Sequence, residues 1–203
     1  MRPASDVAFS ASVKSEQEKR GSRSHYARME ERGGWPDRIM PDLEQLIGSV
    51  RSFYLGTASA AGQPYIQHRG GPPGFLRVLD ATTLGFADYR GNRQYITLGN
   101  LAENPRAFIF LMDYAQRLRI KLWGSARVVE GDAALLSRLS EVAGGAPERC
   151  ILFHVDAWDR NCPQHIPHLL PAEDVERTIG ALEAKVVELE ARLRGEAHAG
   201  SGP

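Results

Sequence analysis

The stretch SFYLGTASAAGQPYIQHRG, residues 52–70, decides how the rest of the chain is read. Aromatic and β-branched residues on either side of a short Ala-Ala-Gly turn are the pattern of a β-hairpin. Working outward, FLRVLD (75–80) and TLGFADY (83–89), with only Ala81 and Thr82 between them, predict a second pair of strands. AFIFLMDY (107–114), RIKLWGSARVVE (119–130) and RCILFHVDAWD (149–159) predict three more, and the first is apolar enough to expect burial on both faces. Short helical patterns separate them. PDLEQLIGSV (41–50) repeats apolar residues at Leu43, Leu46, Ile47 and Val50, YITLGNLAENP (95–105) is closed by Pro105, and DAALLSRLSEV (132–142) begins at Asp132, a suitable N-cap. Six to seven strands joined by short turns predict a mainly β chain with peripheral helices, folded as an antiparallel barrel. Alternating βα units are absent, as are G-x-G-x-x-G and Walker A patterns.

Lysine plus arginine and aspartate plus glutamate number 25 each, so no global charge draws the chain to nucleic acid or to an anionic membrane. No apolar run approaches the ~18 residues of a membrane span. The opening MRPASDVAFSASVKSEQEKR holds no apolar stretch of a secretory signal, so the expectation is a cytoplasmic protein with Cys150 and Cys162 reduced. The domain expectation has three parts: a polar N-terminal extension (1–34) with a charged helical pattern in KSEQEKRGSRSHYARMEER, a barrel domain (35–170), and a C-terminal amphipathic helix and tail (171–203). In that last part Val175, Ile179, Leu182, Val186, Leu189 and Leu193 recur at alternating steps of four and three, a heptad seam. It fits a helix packed on its own barrel and a two-stranded coiled coil across a dimer axis equally well.

Three places carry possible chemistry. HRGGPPGF (68–75) has glycines that let backbone approach a flat or anionic ligand, or it is simply a turn. RGNRQ (90–94) joins a strand to a helix, where free N–H groups with Arg90 and Arg93 suit a phosphate, or where the arginines are solvated caps. Arg119 and Lys121 alternate on one strand and share a face with Trp123, which either addresses an anion or is plain surface.

These segments together resemble the pyridoxamine 5'-phosphate oxidase-like family of FMN-binding split barrels. The resemblance runs over about residues 35 to 170 and is carried most specifically by G-N-R-Q followed by N-L-x-x-N-P, and by W-G-x-A-R-V. It implies a homodimer with FMN in each of two clefts between subunits. Carried over by position, it implies that Arg93 and Gln94, with the neighbouring Asn92, grip the flavin phosphate beside Ala87 and Asp88. It implies a polar contact from Arg119, or from Lys121 beside it, and a strand lining phosphate and ring through Gly74, Phe75, Leu76 and Arg77. Arg69 is a further phosphate or ring contact. True pyridoxamine phosphate oxidases end in a strand with tryptophan and arginine motifs, whereas this chain has NCPQHIPHLL and the heptad helix. The resemblance therefore implies an uncharacterised bacterial branch and the cofactor rather than the vitamin substrate.

The expected function is an FMN-dependent oxidoreductase of an unidentified small molecule, taking electrons from NADH, NADPH or a reductase. The alternative is a binding or sensor module holding flavin, haem or a deazaflavin without turnover. NCPQHIPH (161–168) offers Cys162, His165 and His168 as three metal ligands, but no second Cys/His pair lies nearby in sequence. A Cys/His nucleophile pair lacks a visible orienting group. The expectation is no metal, with Asn161, Gln164 and His165 facing the flavin cleft, His165 as the candidate catalytic residue, and Cys162 packed inside. A plain connection is the other reading.

Overall fold

A computed structural model describes residues 2–140, 146–161 and 163–199. The chain divides into two compact units, Met1–Asp113 with Leu118–Gln164, and Tyr114–Arg117 with His165–Pro203.

The first unit begins with a 3-10 turn (Ala4–Val7) and two helices, α1 (Ala11–Lys19) and α2 (Arg23–Glu31). The charged pattern read as one helix is two, because Gly21 turns the chain at φ +75°. Polar contacts hold the pair, among them Arg23 Nη1 to Gln17 Oε1 at 2.7 Å and Lys14 Nζ to Glu30 Oε1 at 3.8 Å. Phe9 packs on Trp35 (centroids 4.9 Å apart), and Trp35 stacks on Trp123 (4.7 Å). Helix α3 (Pro41–Ser49) starts on a proline and buries Leu43, Leu46 and Ile47, as their spacing requires.

Seven strands follow: β1 (Ser52–Ala58), β2 (Pro64–Gly70), β3 (Arg77–Asp80), β4 (Thr83–Tyr89), β5 (Arg106–Asp113), β6 (Leu118–Val129) and β7 (Pro147–Asn161). Helix α4 (Ile96–Glu103) lies between β4 and β5, and α5 (Ala133–Ser140) between β6 and β7. All the ladders are antiparallel, in the order β2-β1-β5-β6-β7-β4-β3. The β1–β2 hairpin turns at Gly62 (φ +86°), whose N–H donates to the Ser59 carbonyl. β2 and β3 are the two edges of the sheet, yet Arg69 of β2 forms an ion pair with Asp88 of β4. The sheet therefore curls until its ends meet through side chains instead of a ladder, which makes it a split barrel.

Its core holds Phe53, Leu55, Leu84, Phe86, Ile109, Leu111, Leu122 and Phe153. Along β6 burial alternates with period two: Leu118, Ile120, Leu122, Gly124 and Ala126 face in, while Arg119, Lys121 and Trp123 lie half-buried on the other face. β5 departs from its expectation of burial on both faces. Only Ala107, Ile109 and Leu111 are fully buried, and Phe108, Phe110 and Met112 are half-covered, because their face forms an aromatic surface in which Phe108 meets Trp123 edge-on at 5.1 Å.

β7 pairs with β4 from Pro147 to His154 and with β6 from Cys150 to Asn161. A bulge interrupts the latter ladder: Trp123 faces Ala157 but Gly124 faces Val155, so Asp156 is the extra residue. A Cβ on Gly124 would lie 1.8 Å from the His154 carbonyl oxygen, so only glycine fits. Outside the barrel, α5 covers a smaller cluster of Leu139, Cys150 and Leu152. Asp132 caps this helix as its sequence predicts, accepting from the Leu135 N–H at 2.9 Å. Burial pushes the Cys150 thiol above its ordinary pKa, as suits a packing residue.

In the second unit Arg117 Nε donates to the Ile166 carbonyl at 3.1 Å, and a single helix, α6 (Ala172–Ala199), bears the heptad seam. Among the described residues no helix is long and apolar enough to cross a membrane.

Candidate functional site

One face of β2 presents Tyr65, Gln67 and Arg69 at alternate positions, and all three line a cleft of about 230 Å³. Its other walls are Asp88 and Tyr89 at the end of β4, the loop Gly91–Tyr95, the first turn of α4, and Glu148 with Arg149 at the start of β7. The centre of the site is Asp88, whose side chain is 9% exposed. It accepts from Arg69 on one oxygen and from Arg149 Nη1 at 3.0 Å on the other. The two strands set this up: Asp88 and Arg149 are direct cross-strand neighbours. Arg149 also reaches Glu130 Oε1 at 3.0 Å and Glu148 Oε2 at 2.8 Å. The guanidinium of Arg69 lies over Phe86 and that of Arg149 over Tyr95, 5.6 and 5.9 Å from the ring centres.

The loop above this pair is held in an uncommon conformation. Arg93 and Tyr95 both lie in the left-handed region, at φ +61° and +55°. Strain of this kind persists where the surroundings over-determine it, and it concentrates at binding sites. The Gln94 N–H donates to Asn92 Oδ1 (3.2 Å) and Arg93 Nε to the Tyr95 hydroxyl (3.5 Å), so the loop is folded by its own polar groups. Tyr95 is the N-cap of α4 and contributes no side-chain cap. The N–H groups of the helix's first turn, at Ile96, Thr97 and Leu98, have no intrahelical acceptor and edge the cleft. Thr97 Oγ1 and Gln67 Oε1 tie the helix to β2 at 2.9 Å.

Two donors in these walls are buried without a partner: Arg69 Nε and the Tyr89 hydroxyl. Burial raises the pKa of Tyr89, so the hydroxyl keeps its proton and remains a donor. Three arginines against two carboxylates leave the lining net positive. Chemically, the arrangement suits a small anion with several acceptor oxygens.

Of the residues expected from sequence, Arg69, Asp88, Asn92, Arg93 and Gln94 are brought together here. Ala87 sits on the opposite face of β4, against the cluster under α5. Phe75 and Leu76 are core side chains, Phe75 stacking on Phe53 at 5.7 Å, so they offer backbone only. Gly74 takes φ +87° just before them, and Arg77 opens β3 opposite Gly85. Arg119 and Lys121 lie on β6, Lys121 over Trp123 and 3.5 Å from Asp159, while Arg119 Nε is buried without a partner. Asn161 faces Arg119 in the β6–β7 ladder, and Gln164 and His165 are exposed in a turn where His165 takes φ +64°. Cys162, and with it the metal and packing readings that used it, lies outside the described residues. Among the described residues no three His, Cys, Asp or Glu side chains cluster to hold a metal ion.

Tyr65, Gln67, Tyr89, Tyr95, Thr97 and Arg149 were not expected. A signal existed for the first two, since they alternate with Arg69 on β2. None existed for Arg149, which joins the site only through the register of two strands distant in sequence.

Residues 39–161 match the sequence profile of the pyridoxamine 5'-phosphate oxidase family. Among solved structures, HupZ of Group A Streptococcus superposes with a TM-score of 0.50 at 19% identity, covering 65% of this chain and 99% of that one. A variant of the same protein gives 0.51 at 19% identity over 61% and 99%. An FMN-binding protein from Syntrophomonas wolfei gives 0.46 at 13% identity over 76% and 99%. No curated protein matches the chain in a sequence comparison. The two HupZ superpositions show a shared fold.

Proposed function

The chain belongs to the pyridoxamine 5'-phosphate oxidase family, and we propose that the cleft between β2, β4 and α4 holds the phosphate of FMN. The observation that carries this reading is the pair of buried, unpartnered donors, Arg69 Nε and the Tyr89 hydroxyl, in a net-positive wall beside a helix N-terminus. Asp88 would fix Arg69 and Arg149 in place, leaving Arg93, the α4 N–H groups and the orphaned donors to meet phosphate oxygens. A cleft of about 230 Å³ is below the ~300–1,000 Å³ of a complete small-molecule site, so it fits the phosphate end only. Arg119 and Lys121 would serve the ring from a second copy. On one chain Asp88 faces Arg149 and Arg119 faces Asn161, twelve residues further along β7. That is a span of roughly 40 Å of strand at ~3.3 Å per residue, longer than one mononucleotide. The working form is then a homodimer with two equal sites. Bound flavin supplies electron transfer to or from a small molecule, with NADH, NADPH or a reductase as donor, and the activity is that of a cytoplasmic oxidoreductase.

Titrating the protein with FMN and following flavin fluorescence gives saturable binding. Arg93→Ala weakens that binding by roughly ten- to a hundredfold, while the thermal midpoint without flavin stays put because Arg93 is exposed. Equal affinity in the variant makes Arg93 a solvated cap and removes the assignment. A haem spectrum in place of flavin sinks the FMN reading. Anaerobic reduction of the bound flavin by NADH or NADPH, followed by defined re-oxidation, separates an enzyme from a store.

Tyr89→Phe reads the same pocket in another way. Removing a buried, unpartnered hydroxyl raises ligand-free stability by about 1 kcal/mol, yet FMN affinity falls. Loss of stability in the variant would mean that the hydroxyl already has a partner.

A further inference from the structure

The exposed seam of α6 specifies what covers it. Val175, Ile179, Leu182, Val186, Leu189 and Leu193 are between 38% and 66% exposed along this 28-residue helix. An apolar stripe of that length is rarely left to solvent. The spacing assigns Ile179, Val186 and Leu193 to heptad position a, and Val175, Leu182 and Leu189 to position d. β-branched residues at two of the a positions, with leucine at two of the d positions, are the choice that favours a parallel pair of helices.

The flanking charges give the direction. Glu176, Glu183 and Glu190 occupy all the e positions of the seam, while Lys185 and Arg192 occupy g positions together with Thr178. In a parallel pair, position g of one helix faces position e of the next heptad on the other. Lys185 then meets Glu190 of the partner subunit. An antiparallel pair sets e against e and g against g, glutamate against glutamate and lysine against arginine. Within its own helix Lys185 bonds Glu188 at 2.8 Å and Arg192 bonds Glu188 at 2.7 Å. These pairs are exposed, so re-pairing them costs little.

We propose that α6 binds α6 of a second copy of this chain as a parallel, in-register, two-stranded coiled coil. This rests on the helix alone and stands apart from the flavin reading. The test uses the full chain with Cys162→Ser and Cys150 left in its buried place. Leu182→Cys and Leu189→Cys are introduced separately, with Ala184→Cys on the outer face as control. Mild oxidation and a non-reducing gel give a disulfide-linked dimer at both d positions and none at the control. Cross-linking at only one d position overturns the parallel arrangement, because an antiparallel pair sets at most one position against itself. Cross-linking at neither overturns the coil, and a dimer that persists in light scattering is then held elsewhere. A second arm adds Lys185→Glu to the Leu182→Cys protein, which lowers the yield of cross-link, and then Glu190→Lys, which restores it. Failure of the second change to restore the cross-link overturns the parallel register.

Discussion

Gly124→Ala leaves this chain unable to complete its sheet. The added methyl would sit 1.8 Å from the His154 carbonyl oxygen and 2.9 Å from the Phe153 ring. A flexible side chain could move away, but the oxygen belongs to the backbone of β7 at the bulge, so the ladder must open. The expected cost is about 4 kcal/mol or more, at the extreme of single substitutions. Total stability of a domain is ~5–15 kcal/mol, so the variant is largely unfolded or aggregated at ordinary temperature. Gly56→Ala is the control: its Cβ would meet Phe108 at 3.5 Å, an ordinary contact. Urea unfolding of the two proteins checks the difference, and a Gly124→Ala midpoint equal to that of wild type would remove the bulge from the account.

Asp88→Ala has the next largest effect, and here an anion can reverse it. Arg149 keeps Glu130 and Glu148, but Arg69, whose side chain is 16% exposed, loses its carboxylate. Breaking a buried pair from one side costs about 3–5 kcal/mol, because a charge is left uncompensated. Inorganic phosphate should recover much of the loss by taking the place of the carboxylate; a ligand at a hundred times its Kd returns about 2.7 kcal/mol. Thermal unfolding with and without phosphate measures both halves. If phosphate stabilises neither the variant nor wild type, the cleft is not an anion socket. A paired replacement, Arg69→Met with Asp88→Leu, keeps most of the stability and abolishes the phosphate response.

Much of the barrel was legible because each strand advertises itself locally. The Ala-Ala-Gly turn, the single pair of residues between β3 and β4, and the alternation along β6 need no knowledge of the rest of the chain. β5 misled because hydrophobicity reports what a residue avoids, not how completely it is covered. Phe108 and Phe110 face outward on an aromatic surface that includes Trp123. The phosphate end of the site was legible for the same local reason: Asn92, Arg93 and Gln94 are contiguous, and Asp88 lies just before them. Arg149 was not, since it reaches Asp88 across 61 residues and only the β4–β7 register places it there. Arg119 and Lys121 were read into the same set, yet the β6–β7 register puts them at the far end of β7.

The place of β7 has a consequence for how the protein is made. It is the last of the described strands in chain order, and it lies between β6 and β4, with no ladder among the described residues joining the earlier strands across that gap. Until residues 147–161 leave the ribosome, the strands of β2-β1-β5-β6 and of β4-β3 lack the strand that pairs with both β6 and β4. Open edges of this kind invite pairing with other chains. Translation arrest or proteolysis ahead of Pro147 therefore removes the middle of the sheet and not one of its edges. It keeps β1 to β6 on one polypeptide but leaves the β4 and β6 edges without the strand that pairs with both, the kind of exposed edge that aggregates or is covered by chaperones.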